Sequence, residues 1–153
     1  MRKPAYQTAR CILYRPDQFL LADHKGSPRN RSTARRSSAR AQGHIKWGLP
    51  GGHIEWREEP MEAARRELLE ELDLSLGQLT KVGDYSYKQR LHAVFAAPCE
   101  ADHFDLEFSE LFEVRWFTLQ EISHLSSFDK LHAGYEYDAV CTLAGLLKKE
   151  NWP

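Results

Sequence analysis

Three glutamates, Glu67, Glu70 and Glu71, carry the most distinctive chemistry in the chain. On a helix over residues 60–72 they are related by i, i+3 and i, i+4 and share one face. They fall in its C-terminal half, where the dipole disfavours anions by roughly 0.3–1 kcal/mol each and the three repel one another. Two readings follow. A hard divalent cation would compensate the cluster, since Mg2+ and Mn2+ prefer carboxylate oxygens and water. Alternatively, the three form a solvated acidic face partly neutralised by Arg65 and Arg66. A local rule broken without local compensation tends to mark a functional site.

A helix must present this face. Pro60 suits its first position, where a missing N–H costs nothing, and Glu58, Glu59 and Glu62 sit well against the positive end of its dipole. Met61, Ala64, Leu68 and Leu72 recur at spacings of three and four and make one apolar stripe for a core. Asp73 lies where the helix should end. Ahead of it, Gly51 and Gly52 permit a turn that lets a carbonyl or phosphate approach closely.

Read in order, the segment runs Gly52, five residues, Glu58, seven residues, Arg66-Glu67, Leu68, any residue, Glu70-Glu71, any residue, Asp73, Leu74. This order resembles the signature of the Nudix (MutT-like) hydrolases, which have glycine where Asp73 stands. Asp tolerates the left-handed conformation expected there at a cost of roughly 1 kcal/mol. The resemblance implies a Nudix-type α/β/α sandwich with a mixed β-sheet between helices. It also implies Mg2+-dependent (or Mn2+-dependent) hydrolysis of the pyrophosphate bond of a nucleoside diphosphate linked to another moiety. By the same resemblance, Glu67, Glu70, Glu71 and the carbonyl of Gly52 hold metal, and Glu67 or Glu110 is the general base. Arg66, which carries no titratable proton at working pH, orients the carboxylates by pairing with Glu58 or Glu70. The alternatives are a Nudix-like nucleotide-sensing or nucleic-acid-binding domain without turnover, and an acidic-helix interaction module with no ligand.

The remaining sequence fits a small enzyme. The 153 residues, 42% hydrophobic, suffice for one domain over 1–153 with a real core. A net charge of −1 gives no global attraction to polyanions. Cys11, Cys99 and Cys141 are odd in number and far apart, which suggests reduced thiols and a cytoplasmic location. No apolar run approaches the roughly 18 residues of a membrane span. The expected partners are a nucleotide derivative, a nucleic acid, or a second copy of the chain.

Tyr6 to Tyr14 and Phe19 to His24 read as a hairpin about the turn at residues 15–18; residues 79–87, 90–97 and 114–117 read as strands. Thr118 to Glu121 is a capping box that opens a short helix, and residues 135–150 form the last helix, with Ala139, Val140, Leu143, Leu146 and Leu147 inward. Residues 25–43, with Arg29, Arg31, Arg35, Arg36 and Arg40 among Ser, Thr, Ala and Gly, read as a mobile basic loop. Such a loop is either an electropositive flap for a polyphosphate or RNA, or a solvated insertion. Arg40, Lys46 and Trp47 are the candidate substrate contacts, although a tryptophan beside a core strand also suits packing. Glu110 precedes the strand at 114–117. The seven histidines show no metal-ligand spacing and read as structural or incidental, His53 in the glycine turn excepted.

Overall fold

A computed structural model describes residues 5–25 and 32–149. Its elements are β1 (Tyr6–Arg15), β2 (Gln18–His24), α1 (Ser32–Ala41), β3 (Gly51–His53), α2 (Pro60–Leu72), β4 (Thr80–Tyr87), β5 (Arg90–Pro98), β6 (Leu111–Phe117), α3 (Leu119–Ser127) and α4 (Glu136–Lys149). The sheet runs in the order β4-β5-β1-β2-β6, and β3 pairs with β1 outside that path. β1 and β5 are parallel while the other pairs are antiparallel, so the sheet is mixed.

Alternation along the central strands explains the layers. In β1, Cys11 and Leu13 join one buried cluster while Ile12 and Tyr14 join the other; in β5, Phe95 and Ala97 oppose Val94 and Ala96 in the same way. Strands apolar on both faces require cover on both faces. α2 covers the first with Ala63, Ala64, Leu68 and Leu72, and Ile122 of α3 with Ala139, Val140 and Leu143 of α4 covers the second. The expected sandwich with a mixed sheet between helices is the observed fold.

Element boundaries follow local chemistry. The β1–β2 turn holds Asp17 at φ 60°, and Thr118 and Glu121 cap α3 reciprocally as their spacing predicts. α2 has Pro60 in its first turn and ends at Asp73 with φ 52° and ψ 38°, the left-handed conformation, its N–H bonded to the carbonyls of Leu68 and Leu69.

One expectation fails. Residues 32–41 are a helix, α1, where a structureless basic loop was expected; residues 26–31, with Arg29 and Arg31, lie outside the described residues. Alanine and arginine have high helix propensity, which offsets the missing apolar stripe. Tertiary bonds from Arg36 to the His24 carbonyl and from Arg40 to Asp23 and Glu113 anchor the helix through its basic side chains.

Candidate active site

The split edge of β1 builds the site. β2 pairs with its C-terminal end, at Tyr14 and Arg15, and β3 takes over at Thr8, Ala9 and Arg10, so the glycine turn is sewn to the centre of the sheet. Gly51 sits at φ 140°, where a Cβ would fall 2.3 Å from the Ala9 carbonyl oxygen; only glycine permits this contact. A Cβ on Gly52 would fall 2.5 Å from Glu67 Oε1, so the Glu67 carboxylate lies directly over that residue's backbone.

Arg66 organises the acidic face of α2. Its Nε and Nη2 donate to the two oxygens of Glu58 at 2.8 and 3.0 Å, its Nη1 to Glu67 at 3.0 Å and to Glu70 at 3.2 Å, and its Nη2 also to the His53 carbonyl at 3.0 Å. It therefore pairs with both Glu58 and Glu70, which sequence reasoning had set as alternatives. Glu58 is presented by the turn at residues 55–58, closed by its own bond from the Glu55 N–H.

The three α2 carboxylates are not equivalent. Glu70 is 58% exposed at its side chain, whereas Glu71 is only 3% exposed and accepts a 2.7 Å bond from the Gly51 N–H. Burial, then the charge of Glu67, pushes the Glu71 carboxyl up to about 8, and burial raises Glu67 as well. His24 bonds the Leu49 carbonyl through Nε2 at 3.0 Å, so Nε2 carries the hydrogen and the bare Nδ1 faces Glu71 Oε2 at 3.5 Å. That placement suits a protonated Glu71, the state a buried carboxyl adopts when no cation neutralises it.

Among the described residues no three carboxylate, imidazole or thiolate groups converge as a preformed metal cage. The donor set nonetheless fits Mg2+ or Mn2+. The donors are hard oxygens in mutual repulsion beside a glycine carbonyl, and Mg2+ typically keeps several waters and takes only one or two protein carboxylates together with substrate phosphates. Glu110, immediately before β6, is exposed, and its charge makes a small contribution to the rise at Glu71.

Beside the cluster, across the glycine turn, lies a pocket of about 210 Å3. Its walls include Arg10, His24, His92, His132, Tyr87 and Tyr135, with His53 at the rim. Tyr135 stacks on Tyr85 with centroids 5.2 Å apart and on His92 at 5.8 Å. Arg10 Nη1 donates to the Gly51 carbonyl at 2.7 Å, and its charge acts on both Glu67 and Glu71. His24, His92 and His132 are held neutral. Burial and the surrounding cations bring His132 down to about 4, and burial lowers His24 and His92.

His53 apart, these pocket residues were missed in sequence. One signal was available: Arg10 and His92 are polar residues inside strands whose neighbours, Ala9, Cys11 and Ala93, are fully buried. Three candidate substrate contacts are not brought here. Trp47 is 5% exposed and packs edge-on against Phe117 at 5.1 Å, so its ring is core and offers no face to a base. Arg40 is bound to Asp23 and Glu113, and Lys46 pairs, among the described residues, with Asp129 at 3.4 Å. Of the histidines read as structural or incidental, His24, His92 and His132 line the pocket.

The NUDIX domain family model matches residues 6–137, and the chain belongs to that family of hydrolases, the class that fold and site together define. Solved structures agree in fold. A NUDIX hydrolase from Nitrosomonas europaea is 20% identical with a TM-score of 0.64, covering 94% of this chain and 90% of its own. The NUDIX domain of Shewanella oneidensis NrtR, complexed with ADP ribose, is 14% identical at a TM-score of 0.64, covering 95% and 90%. An Ap4A hydrolase from C. elegans is 21% identical at a TM-score of 0.62, covering 91% and 99%.

Proposed function

We propose that this chain is a Mg2+-dependent hydrolase of the pyrophosphate bond of a nucleoside diphosphate linked to another moiety. The observation that carries the reading is the junction of two unlike surfaces at Gly51 and Gly52: an acidic face ordered by Arg66, and a pocket walled by aromatic rings and Arg10. The pocket suits a base and ribose, since neutral rings stack on a π-face, and Arg10 suits a phosphate. Similarity in fold to proteins that bind ADP ribose or act on Ap4A supports the substrate class.

Glu67, Glu70 and Glu71, with the Gly52 carbonyl, would hold the cation, and Mn2+ suits the same oxygens. When bound, Mg2+ neutralises phosphate charge and acidifies a water. Glu67 or Glu110 accepts the proton of the attacking water: Glu67 because burial raises its basicity, Glu110 because it is exposed and its charge acts on Glu71. Arg66 keeps the carboxylates in place and makes no proton transfer.

A panel of nucleoside diphosphate derivatives incubated with and without Mg2+ tests this. Release of a nucleoside monophosphate only with the metal is expected. Tight binding of those compounds with no turnover under either condition would instead establish a nucleotide-sensing domain.

A further inference from the structure

A second cavity, of about 500 Å3, lies between α1 and the segment that precedes the glycine turn. Its charged walls are Arg35, Arg36, Arg40 and Lys46, with Asp23 the one carboxylate. Asp23 is bonded to Arg40, which also pairs with Glu113, so the acid is already taken. Arg36 is different. Its Nη1 donates to the His24 carbonyl at 3.2 Å and its Nη2 lies 3.3 Å from His132 Nδ1, but among the described residues it has no carboxylate within ion-pair reach. Burial lowers its pKa more than the charge of Asp23, which lies beyond ion-pair distance and is bonded to Arg40, restores it. Placing such a group is costly unless something compensates it, and a guanidinium oriented by two protein acceptors has a fork left for phosphate oxygens.

His132 lines both cavities, and His24, whose carbonyl holds Arg36, lines the first. His132 is therefore the wall the two cavities share, and a ligand long enough to extend past it from the aromatic pocket would meet Arg36. Lys46 lines the same cavity as Arg36, is half-exposed, and among the described residues pairs with the exposed Asp129 at 3.4 Å, a contact weak enough to give up for a phosphate. Resting on the hydrolase reading above, we propose that Arg36, Arg35 and Lys46 form an anion subsite for a phosphate group that the substrate carries beyond its scissile diphosphate. The site favours substrates with phosphate charge at a second place over nucleoside diphosphates joined to an uncharged sugar. Within α1 the substrate-facing cation is Arg36, not Arg40.

The test uses the full chain with two variants, Arg36→Gln and the exposed pair Arg35→Gln/Lys46→Gln, which removes charge without touching buried bonds. Affinity for inorganic tripolyphosphate, measured by calorimetry without divalent metal, should fall about tenfold or more in Arg36→Gln and about threefold in the pair. In parallel, the KM for a dinucleoside polyphosphate, divided by that for a nucleoside diphosphate sugar, should rise by a similar factor. Unchanged tripolyphosphate affinity in both variants overturns the subsite. Weakened tripolyphosphate binding with an unchanged KM ratio overturns its assignment to the substrate and leaves a site for free phosphate. Should the parent hydrolyse neither compound, the hydrolase reading falls, and the calorimetric arm still decides whether the anion subsite exists.

Discussion

The two halves of the candidate site are built by opposite means. The acidic face comes from one stretch, residues 52–71, in which a single guanidinium binds Glu58, Glu67 and Glu70. The aromatic pocket draws Arg10 from β1, His24 from β2, Tyr87 from β4, His92 from β5, and His132 and Tyr135 from the approach to α4. Chemistry that depends on carboxylates held in fixed relation is supplied by one helix, whose backbone sets their spacing. Recognition that depends on shape is supplied by many elements, each contributing one side chain to a concave wall. The difference predicts that substitutions in the first half change turnover and those in the second change affinity.

The largest effect is expected at Glu70. Glu70→Gln keeps shape and removes one charge, so Mg2+-dependent kcat should fall about a hundredfold or more. Stability should stay within about 0.5 kcal/mol, because the carboxylate is exposed and its pairing with Arg66 is worth little. Parental turnover in this variant would remove Glu70 from the metal face.

Arg66→Met probes what holds that face together. It leaves Glu58 and Glu67, both largely buried, without their cation, at a cost of about 2–4 kcal/mol in chemical denaturation. A loss under about 0.5 kcal/mol would show that the carboxylates are ordered by something other than Arg66.

The pocket half should respond to acid. Burial, then Arg36, Arg10, Lys88 and Lys46, lowers His132 to about 4, from an unfolded value near 6.5. The unfolded chain therefore takes up the proton first, and the stabilisation from a neutral ring is complete above pH ~6.5 and is lost as the pH falls toward 4. Thermal melts between pH 7 and 5 should show Tm declining, with a shallower decline in His132→Asn. Equal slopes in the two proteins would mean that His132 titrates normally in the fold.

The smallest effect belongs to the end of α2. Asp73 stands at φ 52°, where glycine avoids the Cβ penalty, so Asp73→Gly should stabilise by up to about 1 kcal/mol with activity near parental. A lower melting temperature, or loss of Mg2+-induced stabilisation, would make Asp73 a working part of the helix end.

How much of this was readable in the sequence follows the same division. α2, its caps, the Arg66 hub and the α3 capping box are local, with causes lying within a few residues of their effects, and they stand where spacing placed them. The layers were readable as well, because strands with two apolar faces must be covered twice. Which way Trp47 faces, and that His24, His92 and His132 share one pocket, was not readable, because burial and convergence depend on which strands become neighbours. Thr8, for example, shares a 2.6 Å hydrogen bond with His92 across 84 residues of chain. Residues 32–41 were misread because apolar periodicity was required of a helix that is anchored instead through Arg36 and Arg40.

The division of labour is tested most directly by kcat and KM measured side by side for Glu70→Gln and Tyr87→Ala on one hydrolysed substrate. Tyr87 lines the pocket against His92 and His132 at centroid distances of 5.9 and 6.0 Å. Tyr87→Ala should raise KM about tenfold while kcat stays within about threefold of the parent; Glu70→Gln should do the reverse. If both variants lose kcat with KM unchanged, the aromatic pocket is not where the substrate is recognised.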